Sequence, residues 1–402
     1  MRFQQLPLLP LIWGTTIALT QSPIHALSPL LPEATTNELL HLHRHLIEIE
    51  SITENEYEVG QWLSTYLKKQ NFTVELQEVS ENRYNVYAYG GEKRSTSILV
   101  SSHIDTVPPF WPYYHNKTTD IIGGRGSVDA KGSVAAQIVA VQGLREQLND
   151  DISLLFVVGE ETGGDGMRAF SSWSERPSPA HEVVIFGEPT EGKLVCGHKG
   201  MLQLTIHVKG KAAHSGYPWL GVSANDILSE ALSKLLVLRN GGLPSSEKYG
   251  NTTMNFGKIE GGVAANVVAE TASAKIAVRL AGGTPKIVYD LVVEALTDVK
   301  AGAKQAGGDL LIERESEGYP PVNIDCDVEG FETLTVNYGT DVPLLAGEHK
   351  RFLYGPGSIF VAHSDHEALE KKELEQAVLD YRRLIIAASK VEHHKTQEVE
   401  EL

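Results

Sequence analysis

Apolar residues change their spacing repeatedly along this chain, and each change marks an element. Between positions 38 and 49 they fall at Leu39, Leu40, Leu42, Leu46 and Ile47, one face of a helix, and 56–69 carries a second helical stripe. Segments 83–89 and 97–102 read as strands, the second nearly all apolar and therefore buried on both faces. Segment 133–148, rich in Ala, Val and Gln, is a predicted helix, and 152–158 and 182–186 are further buried strands. Strands alternating with helices predict an α/β fold, a sheet covered by helices on both faces.

After His198 the pattern changes. Segment 202–208 alternates as a half-exposed strand, 224–238 is amphipathic, and two long alternating strands follow at 252–259 and 268–280. A helix at 286–304 and a strand at 309–315 complete a small α+β layer with its helices on one side. The last stretch returns to the first type, with helices predicted at 328–338 and 370–388. The expected division is a leader at 1–26, a main α/β unit from 27–198 and 317–402, and an inserted smaller layer at 199–316.

Met1-Arg2 followed by a mostly apolar run to Thr20, with small residues up to Ala26, has the form of a cleavable secretory signal. The run is shorter than the roughly 20 apolar residues of a membrane span, and no later segment qualifies. Sequons at Asn71, Asn116 and Asn251 fit glycosylation on the secretory route. Cys196 and Cys326 either pair in an oxidising compartment or remain two buried thiols. The chain has 402 residues, which suits two domains, and 35 Lys plus Arg against 52 Asp plus Glu, a formal charge of -17. That balance argues against nucleic acid or an anionic membrane as partner, since both call for a basic face.

Candidate chemistry gathers where predicted strands end, the position at which open α/β sheets bind ligands. His103-Ile-Asp105 follows one apolar strand, and Asp105 is placed to hold the second ring nitrogen of a ligand His. Asp129 sits in a glycine-rich turn before Lys131-Gly132, where a helix N-cap is the ordinary use of Asp. Glu160-Glu161 lies at the mouth of another apolar strand, and such a pair repels itself unless a metal or proton intervenes. Gly187-Glu188-Pro189 follows a third strand. Gly355-Pro356-Gly357 precedes His363 and His366, either of which can bind metal. Two imidazoles with several carboxylates and no thiol suit a hydrolytic zinc site.

On these motifs the chain resembles the family of acetylornithine deacetylase, succinyl-diaminopimelate desuccinylase, aminoacylase-1 and glutamate carboxypeptidase, from about residue 35 to 388. The resemblance implies a mixed sheet flanked by helices, with the insert acting as lid and dimerisation layer. It implies two Zn2+ per subunit, with Co2+ or Mn2+ as possible substitutes. His103, Asp129, Glu161, Glu188 and His363 become the ligands, Asp129 bridging both ions, and Glu160 the general base beside them. Glu367 matches a Glu four residues past the ligand His363. His366 has no role in the family pattern and stands as the runner-up ligand. In the insert, Gly210 to Gly216 resembles a segment whose His stabilises the oxyanion, which falls on His214. Segment 261–268 matches a loop whose Asn contacts substrate, hence Asn266, and Arg279 matches an Arg that receives a substrate carboxylate.

The resulting expectation is a secreted carboxypeptidase or dipeptidase, a homodimer in which His214 serves the neighbouring subunit's site. An N-acyl-amino-acid deacylase is the alternative enzyme. A metal-binding protein without catalysis is the remote alternative, and the presence of Glu160 argues against it.

Overall fold

The computed structural model describes residues 30–173 and 181–400. The leader expected at 1–26 lies outside them. The larger sheet has six strands in the order Phe72–Ser80, Arg83–Gly90, Ile152–Val157, Ile98–His103, Val183–Gly187 and Lys350–Tyr354. The last four run parallel, and the first two are antiparallel additions along one edge. Every position of Ile98–His103 and Ile152–Val157 is buried. That is the burial a parallel strand needs when both faces are covered, and it explains the unbroken apolar runs.

The two faces are covered differently. Helices Glu33–Glu48, Tyr57–Lys69, Lys131–Leu144 and Lys371–Glu400 pack on one face through Leu39, Leu42, Leu63, Val134, Ile138, Val378 and Leu384. Each such side chain contributes about 1.5–3 kcal/mol by leaving water. The opposite face meets the short helix Asp165–Ser171 and a three-stranded sheet of Val322–Asn323, Leu194–His198 and Thr333–Val336. The expected helix cover on both faces holds, with the second face carrying one short helix beside a small sheet.

A four-stranded antiparallel sheet, ordered Thr253–Gly261, Thr271–Leu280, Gly200–Lys209 and Asp309–Arg314, forms the smaller unit. Its alternation buries Leu202, Leu204, Ile206 and Val208 against helices Ala224–Gly241, Pro285–Ala295 and Thr297–Gln305 on one side. On the other face Gln203, His207 and Lys209 are exposed. The single helix expected over 286–304 is two, meeting at Leu296. Segment 328–338, expected as a helix, contains the strand Thr333–Val336. The spacing of Val328, Phe331 and Leu334 imitates a helical face, but β-branched Thr333, Thr335 and Val336 lie extended along Leu194–His198. Cys196 and Cys326 form a disulfide across this small sheet, which resolves the choice left open by the sequence.

Candidate metal centre

Each parallel strand of the larger sheet ends in chemistry. His103 is the last residue of Ile98–His103, Glu160 and Glu161 follow Ile152–Val157, and Glu188 follows Val183–Gly187. Lys350–Tyr354 leads into the loop that carries His363. Gly159, with φ 76, makes the left-handed turn that swings the Glu-Glu pair toward its neighbours. His363 holds a left-handed φ of 60, a conformation that side chains other than Gly and Asn adopt at a cost and that gathers at functional sites.

Two groups of side chains converge there. His103 Nε2 lies 3.0 Å from Asp129 Oδ1 and 3.8 Å from Glu188 Oε2. His363 Nε2 lies 3.3 Å from Asp129 Oδ2 and 3.0 Å from Glu161 Oε2. Asp129 therefore faces one imidazole with each oxygen. Donor atoms of His103, Asp129 and Glu161 fall within 4.8 Å of one another, as do those of His103, Glu160 and Glu188. The exposed His366 ring pairs with Asp365 and with no other side chain among the described residues, so His363 is the histidine brought to the cluster.

Behind the cluster the backbone is fastened. His103 Nδ1 lies 3.0 Å from the Asp105 carbonyl and 3.4 Å from its carboxylate, which leaves Nε2 facing Asp129. The N–H groups of Glu160 and Glu161 and the Thr53 hydroxyl all donate to Asp105 at 3.1, 3.3 and 2.8 Å. Glu367 accepts the N–H groups of Val128 and Asp129 and pairs with Arg125 at 2.6 Å.

The electrostatics test whether divalent ions fit. Burial, with Glu188 next, pushes the Glu160 carboxyl well above its usual range. Burial and Asp129 raise Glu161, and burial outweighs His103 to push Glu188 up to about 7. Burial opposes charge on Asp129 too, but His103 and His363 hold it low. His103 is raised against its own desolvation by Asp105, Asp129 and Glu188. Carboxylates crowded out of water with oxygens and ring nitrogens aimed at one another need cations between them. The donor set, nitrogen and oxygen without sulfur, fits ions of the zinc class in a hydrolytic role.

The cluster opens into a cleft of about 720 Å³ lined also by Arg168, Arg279, Tyr319, Tyr338 and Asp341. Arg279 thus belongs to the same cleft as Asp129, Glu160 and His363. His214 and Asn266 do not line it. His214 is exposed on the smaller unit, its Nδ1 accepting from the Gly216 N–H, and the Asn266 carbonyl accepts from Ser215. Asp341, buried with its Oδ1 lacking a hydrogen-bond partner, and Tyr319 were not anticipated. Asp341 follows the strand Thr333–Val336, and reading that segment as helix hid the strand end that would have pointed to it.

The M20 peptidase dimerisation domain matches residues 196–303, and peptidase family M28 matches residues 85–187. A probable carboxypeptidase of Aspergillus flavus is 52% identical over 377 residues, covering 87% of each chain. Another from Uncinocarpus reesii is 48% identical over 416 residues, 92% of this chain and 93% of its own. Among solved structures, a Staphylococcus aureus tripeptidase superposes with a TM-score of 0.71 at 22% identity, over 88% of this chain and 99% of that one. An M20 family metallo-carboxypeptidase from Sulfolobus solfataricus gives 0.67 at 18%, over 86% and 98%. These two show the shared fold. Identity near one half across most of both chains carries more, and on it the chain belongs to the M20-type metallopeptidase family of the fungal probable carboxypeptidases.

Proposed function

We propose that this protein is a secreted two-zinc carboxypeptidase or dipeptidase that cuts the amide bond next to an amino acid with a free carboxylate. The observation that carries the reading is Arg279. Its guanidinium has no ion pair among the described residues and lines the cleft that holds Asp129, Glu160, Glu161, Glu188 and His363. A planar fork of donors left unpaired beside a hydrolytic cluster suits a substrate carboxylate. The fungal relatives' description as probable carboxypeptidases supports the same reading.

In this reading His103, Asp129 and Glu188 hold one zinc, and Asp129, Glu161 and His363 the other. When bound, the ions activate water toward a carbonyl and offset charge on its oxygen. Glu160 takes the proton released by that water and gives it to the leaving nitrogen. Asp105 keeps His103 oriented and, through two N–H groups, keeps Glu160 in place. Arg279 fixes the substrate's carboxylate end, so the scissile carbonyl is presented in one orientation.

The smaller unit, residues 199–316, serves as lid and dimerisation layer, and its match to the dimerisation domain supports a homodimer. His214 of the partner subunit then stabilises the oxyanion, and Asn266 contacts substrate beside it. The apolar leader, the Cys196–Cys326 disulfide and the exposure of Asn71, Asn116 and Asn251 support secretion with glycosylation at those three sites. No helix among the described residues is long and apolar enough to cross a membrane.

The test is a hydrolysis panel with the zinc-loaded protein: N-blocked dipeptides as free acids, the same peptides as C-terminal amides, and N-acetyl amino acids. The free-acid dipeptides should be cleaved best. Faster cleavage of N-acetyl amino acids would make the protein a deacylase, and equal rates on acid and amide would remove the role of Arg279.

A further inference from the structure

Arg279 does not face the cleft alone. In the smaller sheet Arg279 stands opposite Met201, and Met201 pairs on its other side with Tyr319 through N–H···O bonds of 2.9 and 3.0 Å. Residues directly opposite across antiparallel pairs present their side chains on the same face. The three therefore form one row, and all three line the cleft.

The ends of that row converge on Gly339. A Cβ built on Gly339 would lie 2.0 Å from the Tyr319 hydroxyl and 3.2 Å from Arg279 Nη1. Both donors thus hang over the same bare backbone, close enough for the two oxygens of one carboxylate to reach them. Among the described residues the Tyr319 hydroxyl has no hydrogen-bond partner. Its ring is fixed edge-on to His198 at 5.9 Å, and His198 is held in turn by Thr340 at 3.1 Å. A rigid ring that ends in an unused donor beside an unpaired guanidinium is a prepared half-site.

We propose that Tyr319 is a substrate-binding residue: its hydroxyl and the Arg279 guanidinium together grip the terminal carboxylate of the substrate over Gly339. This rests on the reading of Arg279 given above and adds a second donor to it. Glycine at 339 is required because any side chain would occupy the space of the grip. A hydroxyl donor from a second direction adds to the fork of Arg279 and holds the carboxylate from two sides.

The experiment compares kcat/KM on one blocked dipeptide as free acid and as C-terminal amide. Tyr319→Phe keeps the ring against His198 and removes only the hydroxyl. It should shrink the acid-over-amide ratio about 10-fold or more, with the loss appearing as a higher KM for the acid. Gly339→Ala should shrink the ratio in the same direction by displacing the hydroxyl. A purely structural tyrosine would change both substrates alike and leave the ratio where it was. A wild-type ratio in Tyr319→Phe would overturn the role of Tyr319 while leaving that of Arg279 standing. A wild-type enzyme without preference for the acid would overturn both.

Discussion

The carboxylate of Glu367 accepts the backbone N–H of Asp129 at 3.1 Å, so a residue from the last loop of the chain fixes one from the first third. The same carboxylate takes the Val128 N–H and the Arg125 guanidinium, with both side chains of the ion pair buried. Removing one partner of such a pair leaves a stranded charge, at a cost of about 3–5 kcal/mol. Glu367→Gln should therefore lower the thermal midpoint and weaken metal retention at Asp129 by roughly 10–100-fold. Metal content after dialysis checks it, and full retention would show that Asp129 holds its place unaided.

Glu160→Ala should keep its metal and lose about 10²–10⁴-fold in turnover, the usual consequence of deleting a positioned base. Metal analysis and kcat measured on the same preparation separate the two effects. Wild-type kcat would move the base elsewhere, with Asp341 as the next buried carboxyl in the cleft.

His363→Ala should release metal, whereas His366→Ala should not. The reason is position: His363 Nε2 lies 3.0 Å from Glu161, and His366 pairs outward with Asp365. Elemental analysis of the two dialysed variants decides it, and the reverse pattern would exchange their roles.

Much of the centre was legible because its residues interrupt apolar runs. His103, Glu160 and Glu188 each stand where a buried strand ends, and a charged group there has to be explained by something other than packing. The fold was less legible wherever charge opens an element. Lys350–Tyr354 begins with two cations and Phe72–Ser80 alternates along an edge, so neither presents the unbroken run of its neighbours. Asp341 was hidden by the helix-like spacing before it, and Tyr319 for another reason. Its place depends on strands from distant parts of the chain meeting at one cleft, and no local spacing records that meeting.

Acid should destabilise the fold before it protonates most carboxylates. His43 and His198 are fully buried, and burial, the largest influence on each, lowers their pKa from 6.5 to about 4. Unfolded, both bind protons near pH 6.5, so the unfolded state holds more protons between those values and stability rises with pH there. The contribution is complete above about 6.5 and is lost as pH falls toward 4, each histidine costing on the order of 1–2 kcal/mol by pH 5. Urea midpoints at pH 7 and pH 5 measure the drop. His198→Gln should reduce it, and an unchanged drop would assign it to other groups.

If His214 serves the neighbouring site, mixing inactive Glu160→Ala with inactive His214→Ala protein should restore part of the activity. One site in each mixed dimer then has both residues intact. Absence of recovery after verified subunit exchange, or a monomer by sedimentation, would refute the shared site.

The disulfide between Cys196 and Cys326 spans 130 positions, and the four-stranded sheet lies wholly between its two ends. The chain thus leaves and re-enters the main body beside one covalent bridge, and the excursion is a closed ring. A protease that cuts the ring once, at the exposed turn of Glu247 and Lys248 for instance, opens it without parting the pieces. The nicked molecule travels as one band in a gel run without thiols and as two in their presence. A chain closed in this way can be cut once and still hold both halves of its cleft together.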